Sequence, residues 1–170
     1  MRRSILLLAF VPLMLTFLFL TPGRQAHAAS LVAACSGSNC TGKDPYGEHC
    51  NTGTYYVVQS VPLLASDGSG RSGGYLQLWW SDTCQTNWAR VVVYGSTNAF
   101  QILASAWTPG TKEQSTNCYI GSGCVSSGVN WVWWSPMVYA PNNTPACVSG
   151  VARVSLGLGY SNIIFQSNKC

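Results

Sequence analysis

Charge is the scarcest ingredient of this chain: Asp, Glu, Lys and Arg together make up 8% of its 170 residues. The formal net charge of +4 overstates even that, because Arg2, Arg3 and Arg24 lie in the N-terminal segment. Downstream, six basic groups face five acidic ones. Such a balance excludes the clustered Lys and Arg of a nucleic-acid groove and offers nothing to an anionic membrane surface. Histidine is almost missing too. Beyond residue 28 only His49 remains, so any Ser-His-Asp or Cys-His arrangement would have to use it. Long helical periodicity is absent, and no internal repeat or linker divides the chain.

The one long apolar run is at the start. Arg2 and Arg3 precede a nearly unbroken apolar stretch from Ser4 to Leu20, followed by the helix breaker Thr21-Pro22-Gly23 and by Ala26-His27-Ala28. This is the layout of an export signal cut after a small-x-small site, expected here after Ala28 (residues 1–28), with a single domain at 29–170. Two alternatives carry less weight. An uncleaved anchor would stand at the lower length limit for a membrane span. Lipidation at Cys35, after Val32-Ala33-Ala34, would leave an odd number of cysteines for pairing. The expectation is therefore a secreted, extracellular protein with no stable membrane insertion after cleavage.

What the chain does have is cysteine, tryptophan and tyrosine. All 8 cysteines (Cys35, Cys40, Cys50, Cys84, Cys118, Cys124, Cys147 and Cys170) lie beyond the signal, and their even number points to disulfides formed in an oxidising space. Eight cysteines allow about a hundred pairings, among which near neighbours in sequence are favoured because short loops close at least entropic cost. About 140 residues suffice for a real core, so the bridges reinforce it and do not replace it. Each adds roughly 2–4 kcal/mol.

Short β-rich runs between turn residues dominate the rest. Strands are expected at Thr54 to Val61, Tyr75 to Trp80, Ala89 to Tyr94, Ala99 to Trp107, Val129 to Trp134, Val151 to Leu156 and Ser161 to Gln166. Val91-Val92-Val93 suits burial on both faces. Asp67 to Gly74 reads as a flexible loop, and Pro136, Pro141 and Pro145 mark an irregular or edge segment. The fold class is all-β: a small disulfide-stabilised antiparallel β-sandwich or barrel.

Several spaced motifs carry a resemblance. They are Cys35-Ser36-Gly37-Ser38-Asn39-Cys40-Thr41-Gly42-Lys43-Asp44-Pro45 with Cys50, and Ser81-Asp82-Thr83-Cys84 with Asn87-Trp88-Ala89-Arg90. Ser135-Pro136-Met137-Val138 and Ala146-Cys147 complete them. From about Cys35 to Cys147 the chain resembles a bacterial family known as domain of unknown function 2690. Its members look like secreted proteins or C-terminal modules of actinobacterial regulators. The resemblance implies an extracytoplasmic β-rich domain and assigns no activity. Members often carry a charge before the aromatic-Ser pair, where this chain has Trp79 in Leu78-Trp79-Trp80-Ser81. Any role of that charge is lost here, and the expectation is that an aromatic surface takes its place.

The aromatics are the best functional pointer in this tryptophan-rich chain. Alternation on a strand puts Tyr75, Gln77 and Trp79 on one face and Leu76, Leu78 and Trp80 on the other. Trp131 and Trp133 likewise oppose Val132 and Trp134. An exposed aromatic row stacks on sugar rings while Gln or Asn binds hydroxyls, so the first expectation is a non-catalytic domain binding a polysaccharide or cell-wall polymer. Most of the tryptophans are nonetheless expected in the core, with Trp88 and Arg90 in the framework. An alternative partner is another extracellular protein, as for a peptidase inhibitor using the loops Asp67 to Gly74 or Cys118 to Cys124. A second alternative is a small hydrolase using Asp44, Glu48 and His49, the densest ionisable cluster. Against it, Asp44 before Pro45 is a ready turn cap, and no pair among Asp44, Glu48, Asp67, Asp82 and Glu113 stands out as two carboxylates flanking a glycosidic bond. The spacing around His49 matches no zinc pattern, and no metal or cofactor is expected.

Overall fold

Among the described residues nine antiparallel strands form one continuous hydrogen-bonded order, β5-β4-β8-β9-β1-β2-β3-β7-β6. In chain order they are β1 (Tyr55–Ala65), β2 (Ser72–Ser81), β3 (Thr86–Tyr94), β4 (Ala99–Trp107), β5 (Gln114–Tyr119), β6 (Val125–Ser127), β7 (Asn130–Trp134), β8 (Cys147–Val154) and β9 (Ile163–Lys169). The computed structural model describes residues 32–140, 145–154 and 163–170, all within the unit Leu31–Cys170. The expected signal segment, Pro141, and residues 155–156 and 161–162 of the last two expected strands lie outside the described residues. Among the described residues no helix is long and apolar enough to cross a membrane.

The order folds over on itself where β9 meets β1. Only Leu64 and Ala65 of β1 pair there, with Gln166 and Phe165. Past that junction β2 and β3 lie against β8 and β4, giving a sandwich-like pair of layers. No barrel closes, since β5 and β6 end the order without pairing to one another among the described residues.

Strand alternation fills the space between the layers. Leu63, Leu76, Val91 and Val93 enter it from one side, and Ile102, Ala104, Val148 and Ala152 from the other. Each fully buried aliphatic side chain contributes about 1.5–3 kcal/mol relative to exposure. Val91, Val92 and Val93 are 0%, 2% and 0% exposed, so β3 is covered on both faces as its unbroken apolar run requires.

The cover over β3's outer face is a second cluster of Cys40, Cys50, Cys84, Trp88 and Met137. It gathers three stretches that are far apart in the chain. Gly42 N–H donates to Met137 O at 2.9 Å, Met137 N–H to Lys43 O at 2.9 Å, and Asn87 and Val138 exchange backbone hydrogen bonds at 2.8 and 2.9 Å. The disulfides are Cys35–Cys40, Cys50–Cys84, Cys118–Cys124 and Cys147–Cys170, each joining sequence neighbours among the cysteines.

Two strands were not expected. β5, Gln-Ser-Thr-Asn-Cys-Tyr, carries turn-like chemistry and is held by pairing along β4. β6 is three residues long and pairs with β7. The loop expected at Asp67 to Gly74 is shorter than its composition suggests, because β2 already begins at Ser72.

Candidate functional site

The outer face of β1, β2, β3 and β7 carries the aromatic row. On β2, Tyr75, Gln77 and Trp79 are half-buried and point outward, opposite the buried Leu76 and Leu78. Register sets their neighbours: Gln77 lies beside Arg90, Arg90 beside Trp134, and Trp79 beside Trp88. Gln77 Oε1 accepts hydrogen bonds from Trp79 Nε1 and from Arg90 Nη1, both at 3.0 Å. The Arg90 guanidinium lies 5.7 Å from the centroid of the Trp79 ring, a cation–π arrangement. A polar centre is thereby held by, and surrounded with, rings.

The N-terminal loop completes the frame. Tyr46 packs on Trp134 at a centroid distance of 4.1 Å, and Tyr55 stacks on Trp79 at 5.5 Å. Asp44 Oδ1 accepts from Trp134 Nε1 and from the Tyr46 backbone N–H, each at 2.9 Å. Burial pushes the Tyr46 phenol above its ordinary value, opposed by the Arg90 guanidinium that hydrogen-bonds it. Among the described residues Arg90 forms no ion pair with a carboxylate.

The structure separates the two tryptophan rows. Trp131 and Trp133 sit opposite Val93 and Val91 and pack against the inter-layer core, on the face away from Tyr75, Gln77 and Trp79. The two rows therefore do not form one surface. Trp88 is fully buried and the other six tryptophans are half-buried, so the most exposed rings are tyrosines, with Tyr55 at 41% and Tyr94 at 36% on this side. Arg90, expected in the framework, is half-buried and sits on this face, holding Gln77 and packing over Trp79. So do Tyr46, Tyr55 and Trp134 sit there, which sequence alone did not single out. The parity of Arg90 with Trp88 on β3 was readable, but its neighbours across β2 and β7 depend on register.

The ionisable loop is put to structural use. Asp44 caps the turn as its position before Pro45 suggested, and Glu48 Oε2 lies 3.6 Å from Lys43 Nζ. His49 occupies the left-handed region at φ 58° where the loop turns back toward Cys50. Gly70-Arg71-Ser72-Gly73-Gly74 spells a Gly-x-Ser-x-Gly pattern, yet Ser72 opens strand β2 and its hydroxyl donates to Gly74 O at 2.8 Å. A nucleophile elbow requires a strand-to-helix turn, which is not the local structure. A separate cleft of 390 Å³ is lined by Ser38, Thr41, Thr108, Pro109, Thr111, Val138 and Tyr139. Thr108 and Thr111 hydroxyls, 2.9 Å apart, satisfy one another there.

No protein-family model, curated protein or solved structure matches the chain.

Proposed function

We propose that the chain is a secreted, non-catalytic binding domain of bacterial type whose outer aromatic face takes up a polysaccharide of the cell envelope or its surroundings. The observation carrying this is the ring of Tyr46, Tyr55, Tyr75, Trp79 and Trp134 around the hydrogen-bonded Gln77–Arg90 pair. Rings offer flat apolar faces to the C–H side of a sugar, and the guanidinium, amide and Asp44 carboxylate address hydroxyls. Preorganisation by hydrogen bonds and disulfides lowers the ordering cost of binding. Export of the chain and its place beside domain of unknown function 2690 belong to the same proposal, and the four disulfides fit a non-cytoplasmic, oxidising compartment.

Retention of the oxidised protein on isolated cell wall, chitin and cellulose tests it. One polymer is expected to retain the protein, and Tyr75→Ala/Trp79→Ala, with its fold verified by circular dichroism, is expected to bind about tenfold or more weakly. Tyr119→Ala, on β5 of the other layer, is expected to bind normally. Retention on none of the polymers would overturn the proposal. The peptidase-inhibitor reading draws on one observation, the hydrogen-bonded Asp67–Arg71 turn, and is checked by inhibition assays on a panel of secreted peptidases.

A further inference from the structure

Two of the disulfides are not separate staples. Cys35 and Cys40 come from the N-terminal loop, Cys50 from the segment before β1 and Cys84 from the β2–β3 turn. Their four Sγ atoms nonetheless all lie within 4.8 Å of one another. A tetrahedral zinc–thiolate centre has Zn–S distances of about 2.3 Å, which places its sulfurs about 3.8 Å apart. Sulfurs confined this closely reach that arrangement by side-chain rotation once the two S–S bonds open. Cys35-x4-Cys40 has the chelate spacing of structural zinc loops. The 3-10 turn Gly37–Cys40 sets that loop against the β2–β3 turn, through a hydrogen bond from Gly37 N–H to Cys84 O at 2.7 Å.

A second observation points the same way. Trp88 is 0% exposed and packs in the same cluster as Cys40, Cys50, Cys84 and Met137. Its indole Nε1–H has no hydrogen-bond acceptor among the described residues. Disulfide sulfur is a poor acceptor, whereas a metal-bound thiolate is charged and takes such donors.

We propose that reduction converts this sulfur tetrad into a four-thiolate site for a borderline-soft divalent cation of the zinc class, with the Trp88 N–H as a supporting donor. Each disulfide accepts two electrons and two protons and becomes two thiols: two reductant thiols supply both and leave as their own disulfide, or a phosphine supplies the electrons, water the protons, and the phosphine leaves as its oxide. The cation then displaces four protons, and four S–metal bonds replace the two S–S bonds. The site has a net charge of −2, which is why a buried donor beside it matters. The N-terminal loop is thus closed over β3 in either redox state, by disulfides in oxidising surroundings and by metal before the thiols oxidise.

The test uses the full chain, reduced anaerobically with a phosphine that is then removed, and titrated with Co²⁺ followed by Zn²⁺. Expected are one Co²⁺ per chain, with the thiolate-to-metal charge-transfer and intense d–d bands of a tetrahedral S4 centre, and its displacement by Zn²⁺. Recovery of the β-sheet circular-dichroism signal on metal addition is also expected. Cys118→Ser/Cys124→Ser should keep this behaviour, Cys35→Ser/Cys84→Ser should lose it, and Trp88→Phe should bind about tenfold more weakly. No metal uptake, uptake without refolding, fewer than four sulfurs in the spectrum, or equal uptake by Cys35→Ser/Cys84→Ser would each overturn the proposal.

Discussion

Gly150 sets how closely the two layers approach. A Cβ at this position would lie 2.7 Å from Val91 Cγ2 and 3.1 Å from Leu76 Cδ1, so the opposite layer occupies the space a side chain would need. Gly150→Val is therefore expected to lower stability by about 1–3 kcal/mol through overpacking, measured as a shift in the denaturant midpoint with an unchanged slope. Trp88 shows the same principle on the other side of β3, where a large ring fills the space under the disulfide loop. The identities of such residues were visible in the sequence, but their partners were not. Tyr75, Gln77 and Trp79 were read on one face from alternation alone, which holds because strand geometry is local. Pairing Gln77 with Arg90, and Trp134 with Asp44, required residues separated by 13 and 90 positions to meet, and only packing determines that.

The β1–β2 hairpin shows what a turn gains from its own side chains. Asp67 Oδ1 accepts from Ser69 N–H at 2.9 Å, and Asp67 Oδ2 accepts from Arg71 Nη2 at 2.6 Å. These bonds, from Ser69 first and then Arg71, hold the carboxyl down to about 2 from its ordinary 3.8. A depressed carboxyl stabilises the folded turn fully above its unfolded value and loses that contribution as pH falls from near 3.8 through about 2. Because the group is exposed, the effect is small and screened by salt. An NMR titration is expected to show the Ser69 amide shift following a midpoint near 2, moving upward in Arg71→Gln. Composition suggested flexibility here, since Gly and Ser favour loops in general. It missed that an Asp with donors two and four residues on builds its own ordered turn.

For the whole molecule the disulfides divide into two kinds by the chain they enclose. Cys50–Cys84 spans 34 residues and ties the N-terminal loop to the β2–β3 turn, whereas Cys118–Cys124 spans 6 and closes a single turn. Loop entropy predicts that losing the first lowers stability by about 4 kcal/mol and losing the second by about 2 kcal/mol. Denaturant unfolding of the paired Cys→Ser variants checks this ranking, and equal losses would show that loop length is not what sets the stabilisation.

The sequence by itself determined the all-β class, most of the strands, the double-sided burial of β3 and the presence of paired cysteines. All of these follow from side-chain periodicity and composition, which act over a few residues. Tertiary structure alone decided that Trp131 and Trp133 face the core while Trp79 faces outward with Arg90. It also brought β5 into the sheet despite its polar sequence, and gathered Cys35, Cys40, Cys50 and Cys84 into one tetrad. The physical reason is common to all three. Which face of a strand is inward, which edge finds a partner and which loops meet are set by inter-strand register and layer packing, and these couple residues far apart in the chain.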